Sequence, residues 1–570
     1  MTISQDISID DKESLSKINI SPAELREVLK SNEQFLNSNV DKKGVIGIPF
    51  APRLLESILL ASYFKLYFPE SASRYNKMVI EVTKKTFDHP VAPATDLNIQ
   101  ERLLNLYFDE PENLERWYTF YQGLVRDALK TDVFYNQIRK SIIFDVIALF
   151  SSPNRSTQKK FWIMFQDQLR QLLPYFEGIS ESGKQVNWNK TYPYLFTLIN
   201  PNTEKDIALR ALEKLFALQN SNGTWFGHHT LTLLILHTIR FKEFELSDLV
   251  KEGLEKAESY LRRYLDCGLS VLEGMGIFNT LLYHSMRALF THEDPPLCLI
   301  ETLIKYQDNR GGWQFSFEAN FSDMDVTSLA LYLLFHWWHK THDPRIDTAI
   351  NRAIGFISSV RQKDGSFIMY PEATEPLAEM TARGIMVAAL LPSKFILKKE
   401  RFQIITRGLA WLMKKQDKKG FFEDQSYSFS KFYSLSQVAL CLFSLERSPY
   451  ITLEPFKEVI VTIRAKIINY LSENQNSDGS YGSQRPYAEQ QSTAYAAFAW
   501  ALVQPYSKNH VKTLSYLLST MKRPAKSYPE GTGPRPIRYN DLAHGAIFSH
   551  MAISSALSVN NLSQINISQK

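Results

Sequence analysis

The sequence predicts an all-α protein: an α/α barrel of repeated helix pairs over residues 201–565, preceded by a separate helical domain over 21–200. Two observations predict it. A Gln-x-x-x-Gly-x-aromatic turn recurs, as QNSNGTW from Gln219, QDNRGGW from Gln307, QDKKGFF from Gln416 and QNSDGSY from Gln475. A fifth copy, QKDGSF from Gln362, is one residue shorter before its glycine. Each copy also stands in the same frame, with an amphipathic helix before the turn and a more apolar helix after it. The last four copies begin 54 to 59 residues apart, too regular for coincidence.

Residues 1–20 are polar and acidic, lack the apolar stretch of a signal peptide, and are expected to be a disordered tail. Between 21 and 200, PRLLESILLASYFKLYF, LERWYTFYQGLVRDAL and SIIFDVIALF read as helices, and FDHPVAPATD reads as a loop. No copy of the turn occurs there, so a boundary is expected near LINPNTEKD.

From about 205 the pairs begin. ALRALEKLFAL, RGLAWLMKK and IRAKIINYLSEN are amphipathic and lead into turns, where glycine supplies the backbone conformation that ends a helix. HHTLTLLILHTI, DVTSLALYLLFHWW, EMTARGIMVAALL, FYSLSQVALCLFSL and STAYAAFAWALV follow the turns and are apolar nearly all round. VKTLSYLLSTM and LAHGAIFSHMAISSAL form a final pair. The first gap, 88 residues, holds an extra apolar segment, LSVLEGMGIFNTLLYHSMRALF. Such pairs bury nothing singly, whereas stacked pairs share one core. A helix apolar all round belongs inside, and one with a polar face belongs outside. Six or seven pairs would close a barrel with the apolar helices inside.

Composition narrows the function. Hydrophobic residues make up 44% of 570, enough for a large core, and the net charge is only +5. No Lys/Arg cluster interleaved with aromatics offers a nucleic-acid face. Cys267, Cys298 and Cys441 are scattered, without metal or disulfide spacing, which points to a reducing, cytoplasmic compartment. No apolar run reaches the roughly 18–20 residues of a membrane span, so membrane contact would be peripheral.

One stretch carries chemistry. FSDMDVTSLALYLLF sets Asp323 and Asp325 at the mouth of an apolar helix. Helix capping is the ordinary reading of such residues. The stretch follows the Gly-Gly-Trp turn, however, and the repeats together with GGWQF…SDMDVT resemble the class II terpene cyclases, over about 350 residues. These are the protonation-initiated cyclases of squalene and of prenyl diphosphates.

The resemblance implies a barrel like the β-domain of that family, with residues 21–200 a diverged form of its γ partner domain. It implies that Asp325 matches the proton donor, Asp323 the first aspartate of the DxDD-type motif and Thr327 the threonine that often follows. Val326 departs from the pattern, standing where many members carry a further acid. Members acting on prenyl diphosphates relax that position more often than squalene-type members do. The implied substrate is a linear C15 or C20 prenyl diphosphate, and the implied product is a cyclic drimane- or labdane-type diphosphate. Squalene or a prenylated aromatic is the alternative, as is a helical toroid that binds without turnover. A class I, ionisation-driven synthase would want an Asp-rich DDxxD helix, which IDDKES and FDEPEN do not supply.

Physical chemistry agrees with the assignment. Burial and a neighbouring carboxylate both favour a protonated aspartate, while the helix N-terminus stabilises its conjugate base. A carbocation then needs a dry lumen with aromatic faces. Tyr332, Trp337, Phe432, Tyr433, Tyr495, Phe498 and Trp500 are the candidate rings, whereas Trp225 and Trp313 belong to the turns. Arg383, Lys431, Arg535 and Arg538 are candidates for holding a diphosphate, with Mg2+ as the expected ion and no organic cofactor. His228, His229, His544 and His550 lie at or in apolar helices, and none is singled out as the final base.

Overall fold

A computed structural model describes residues 22–46, 54–87, 103–108, 146–163, 166, 191–200, 202–225, 229–265, 276–315, 322–371, 373, 376–420, 422, 431–482, 490–521 and 546–558. Among them helix is the regular secondary structure, and β-pairing is confined to isolated bridges. The expected tail falls outside the described residues.

The described residues begin with α1 (Pro22–Asn37), and the chain then enters a first hydrophobic core. That core holds α2 (Leu54–Tyr67), α3 (Ala72–Phe87), α4 (Thr191–Ile199), α5 (Lys205–Ala217), α6 (His229–Lys242) and α7 (Asp248–Arg262), with short helical stretches at 103–107 and 146–151. A second, larger core begins at α8 (Gly276–Phe290) and continues through α9 (Leu297–Tyr306), α10 (Met324–Thr341) and α11 (Pro344–Ser359). It is completed by α12 (Ala378–Leu390), α13 (Lys398–Lys415), α14 (Lys431–Arg447), α15 (Lys457–Glu473), α16 (Gln490–Val503), α17 (Lys508–Met521) and α18 (546–558).

The cores change between Leu265 and Ile277, not near residue 200. The first repeat turn therefore serves a different core from the other four: its Trp225 packs with Phe216 beside α2–α7. A shared turn motif reports how one helix joins the next, and it does not report which core the pair enters.

Burial separates the layers of the second core. Along α12 every residue from Ala378 to Ala389 is buried. In α11 only Ile346, Ala349, Ile350, Ala353, Phe356 and Ile357 are buried, the three-and-four spacing of a helix with one apolar face. The inner helices contact one another in the order α8, α10, α12, α14, α16. Tyr495 against Phe548 adds α18, and Tyr283 against His550 closes the ring back to α8. The result is a ring of six inner helices among the described residues.

The outer layer is completed from the start of the chain. Helix α1 contacts α17, Asn32 Nδ2 donates to Ala546 O of α18, and Thr302 Oγ1 of α9 donates to Lys43 O. α1 thus fills the outer position between α17 and α9. Sequence periodicity had no means of showing this, because α1 carries no repeat turn.

The Gly-Gly-Trp turn ties three helices together. Gln307 Nε2 donates to Gly311 O in its own turn and to Ala349 O of α11, both at 2.8 Å. Trp313 Nε1 donates to Leu303 O of α9, and Trp313 N donates to Thr327 Oγ1 of α10. Gly311 has φ +93°, and a Cβ there would lie 2.3 Å from Arg352 O. Only glycine meets both demands.

Candidate active site

The Gly-Gly-Trp turn fixes the acidic motif directly. Asp323 N donates to Trp313 O, and Ser322 Oγ donates to Asp308 Oδ2 at 2.6 Å. A Cβ on Gly312 would sit 2.5 Å from Ser322 Cβ, so the bare glycine lets the turn lie against the motif. Thr327 is the anchor on the helix side, accepting the Trp313 N–H at 3.1 Å. This bond gives Thr327 a structural place in the motif.

Asp323 caps α10, accepting the Val326 N–H at 2.8 Å. Burial drives its pKa well above the usual carboxylate range, against the pull of that N–H, and the charge of Asp325 adds to the rise. Val326 points into the core, and its contribution to the motif is its backbone N–H.

Asp325, in the first turn of α10, is only 6% exposed. Arg383 of α12 donates through Nε to its Oδ1 at 3.0 Å, and Tyr433 of α14 donates its hydroxyl to Oδ2 at 2.8 Å. Burial, reinforced by the negative charge of Asp325, pushes the Tyr433 pKa far above its ordinary value, so the phenol keeps its proton and acts as donor. Three consecutive inner helices therefore converge on one carboxyl at their N-terminal ends. Both donors are placed to stabilise the anion left when that carboxyl gives up a proton.

The structure moves two residues to roles the sequence did not suggest. Arg383, read as a diphosphate ligand, is bonded to the acid through Nε, while Nη1 and Nη2 are buried without a hydrogen-bond partner among the described residues. Tyr433, read as a cation-facing ring, also donates to the acid. Glu379 was missed. It is buried, stands one helical turn before Arg383 on α12 and accepts the Ser434 hydroxyl at 2.9 Å. A signal was present: Asp325 and Glu379 each lie twelve residues after their turn aromatics, Trp313 and Phe367, and two before a threonine that binds the turn.

The candidate rings divide. Tyr433, Tyr495 and Phe498 belong to one connected group through Phe548, with Tyr495 and Phe548 centroids 4.4 Å apart. Tyr332 lies on α10 about two turns beyond Asp325, and burial raises its pKa. Three others are committed to the scaffold. Phe432 packs on Tyr470 and Tyr481, Trp500 Nε1 donates to Tyr481 Oη at 2.7 Å, and Trp337 Nε1 donates to Pro295 O at the far end of α10.

Arg535, Arg538, His228 and His544 lie outside the described residues, and of Lys431 only the backbone is described. His229 belongs to the first core's α6, bonded to Tyr260, and His550 packs on Tyr283. No cluster of three or more His, Cys, Asp or Glu side chains suited to a metal ion occurs among the described residues. No helix there is long and apolar enough to cross a membrane.

No family model matches the sequence. Drimenyl diphosphate synthase from Streptomyces showdoensis is 25% identical over 302 residues, covering 51% of this chain and 52% of the relative. The match thus spans about half the length of that curated protein. Among solved structures, ent-copalyl diphosphate synthase from Streptomyces platensis aligns over 96% of this chain and 99% of its own, at 13% identity and a TM-score of 0.43. A type II terpene cyclase from Scytonema in complex with geranylgeranyl dihydroxybenzoate aligns over 50% of this chain and 86% of its own, at 16% identity and a TM-score of 0.34.

Proposed function

We propose that the protein is a class II terpene cyclase that protonates the terminal alkene of a linear C15 or C20 prenyl diphosphate and releases a cyclic diphosphate isomer. The observation that carries this reading is the buried Asp325 carboxyl, held on both oxygens by Arg383 and Tyr433 at the end of an apolar barrel. The similarity to a protein named for a prenyl diphosphate product favours a diphosphate over squalene or a prenylated aromatic.

In this mechanism the Asp325 proton passes to the terminal alkene carbon, and the positive charge left on its neighbour is attacked by the next alkene. Each attack forms a carbon–carbon bond and moves the charge along the chain. Loss of a proton from carbon ends the sequence, so substrate and product have the same formula and the diphosphate is untouched. Arg383 and Tyr433 stabilise the Asp325 carboxylate formed in the first step. Burial raises the Asp323 pKa, which favours its neutral form and keeps a second negative charge away from the guanidinium. Tyr433, Tyr495 and Phe498 present the ring faces that attract a passing cation, each worth about 0.5–2 kcal/mol.

Mg2+ would neutralise the diphosphate, binding mainly phosphate oxygens and water. The described side chains form no cage for it, and no step is assigned to it. Incubation with farnesyl and geranylgeranyl diphosphate, with and without Mg2+, then phosphatase and gas chromatography–mass spectrometry, tests the reading. A cyclic alcohol is expected from the wild type, and only linear alcohols from Asp325→Asn.

A further inference from the structure

Inner helices α8 and α14 stand opposite each other in the six-membered ring, with two helices between them on either side. Their side chains nevertheless meet. Phe290, the last residue of α8, lies 5.6 Å from the Phe443 ring of α14 and 5.9 Å, edge-on, from the Phe498 ring of α16. Rings from α8 and from the neighbouring pair α14 and α16 therefore meet across the barrel interior at this level. All three are buried, and the Arg447 guanidinium lies 4.1 Å from the Phe443 centroid. Phe443 is thus packed between an aromatic ring and a cation.

This level is far from the acid. Phe443 follows Tyr433 by ten residues of α14, about 15 Å along the axis at 1.5 Å per residue. Between the two levels the wall is continuous: Tyr433 meets Tyr495, Tyr495 meets Phe548, and Phe548 meets Phe498.

We infer that Phe290, Phe443 and Phe498 form the floor of the substrate chamber and set the length of prenyl chain it accepts. The inference rests on the cyclase reading above and deepens it. A hydrocarbon chain whose terminal alkene touches Asp325 has only the space between acid and floor in which to fold. Closely packed rings resist intrusion, because an extra five-carbon unit forces them off their rotamers. Phe290 is the most separable member, since it sits at a helix terminus.

The test is the ratio of kcat/KM for geranylgeranyl over farnesyl diphosphate, measured for wild type, Phe290→Ala and Phe290→Leu. Opening the floor should raise that ratio by about tenfold or more in the alanine variant, with a smaller rise in the leucine variant. Leucine keeps most of the buried volume, so a folding failure of the alanine variant still leaves a measurable shift. An unchanged ratio in folded variants, beside an active wild type, would overturn the floor alone. A wild type inactive on both substrates would instead overturn the cyclase reading, and the floor with it.

Discussion

Arg383 Nε and Asp325 Oδ1 lie 3.0 Å apart in a hydrogen bond from which water is almost wholly excluded, the side chains being 1% and 9% exposed. A guanidinium cannot be neutralised in a protein and has no acceptor atom. It therefore donates to Asp325 in every protonation state of the acid, and its attraction strengthens when the carboxyl becomes an anion. In the proposed mechanism Arg383 is therefore a positioning residue for Asp325.

Arg383→Gln should accordingly affect both stability and rate. Removing the guanidinium takes a charged hydrogen-bond donor away from a buried carboxyl, at about 1.5–3 kcal/mol. Tyr433→Phe removes one hydrogen bond between uncharged groups and should cost less, about 0.5–1.5 kcal/mol. Urea unfolding of the two variants checks the ranking. Turnover at saturating substrate should fall in both, with little change in KM, because neither side chain is asked to bind the hydrocarbon in its ground state.

Asp323 gives a pH signature with a definite sign. Its folded pKa is raised above the unfolded value of about 3.9, so the folded state binds more protons in between. Its contribution to stability is complete below that unfolded value and is lost as pH rises through the folded one. Asn is a good N-cap and does not titrate, so Asp323→Asn keeps the bond to Val326 without the charge. The melting temperature of the variant minus that of wild type should grow more positive from pH 4 to pH 8. A flat difference would remove Asp323 as the raised group.

Two glycines should respond in opposite directions. Gly420 ends its repeat turn at φ +94°, and a Cβ would meet Lys466 O at 2.0 Å. Gly420→Ala should destabilise by more than about 1 kcal/mol, from strain and collision together. Gly355 lies inside α11, where an added Cβ would meet nothing within 4 Å. Gly355→Ala should stabilise by about 0.5–1 kcal/mol through helix propensity. Thermal unfolding of both variants measures the contrast.

The repeats, the inner and outer layers and the acidic motif were legible because each is a local pattern: a turn signature, a periodicity, two carboxylates at a helix start. What was not legible depends on which helix faces which. Arg383 lies 58 residues from Asp325, and Tyr433 lies 108 away. Nothing in either residue's neighbourhood marks it as a partner of the acid. Glu379 could have been found by aligning the repeats residue by residue, since its spacing from the turn equals that of Asp325. Phe290 and Phe548 become visible only when the ring is closed and distant helices meet inside it.

The most direct measurement is product formation by Asp325→Asn beside wild type, with farnesyl and geranylgeranyl diphosphate. The substitution keeps an acceptor for the Arg383 N–H and removes the transferable proton. Loss of a general acid is worth roughly 10²–10⁴ in rate, and no other group here is assigned to protonate an alkene. The expected result is a cyclic diphosphate from wild type and none detectable from a folded variant. Cyclic product from both proteins at similar rates would contradict the assignment of Asp325 as the acid.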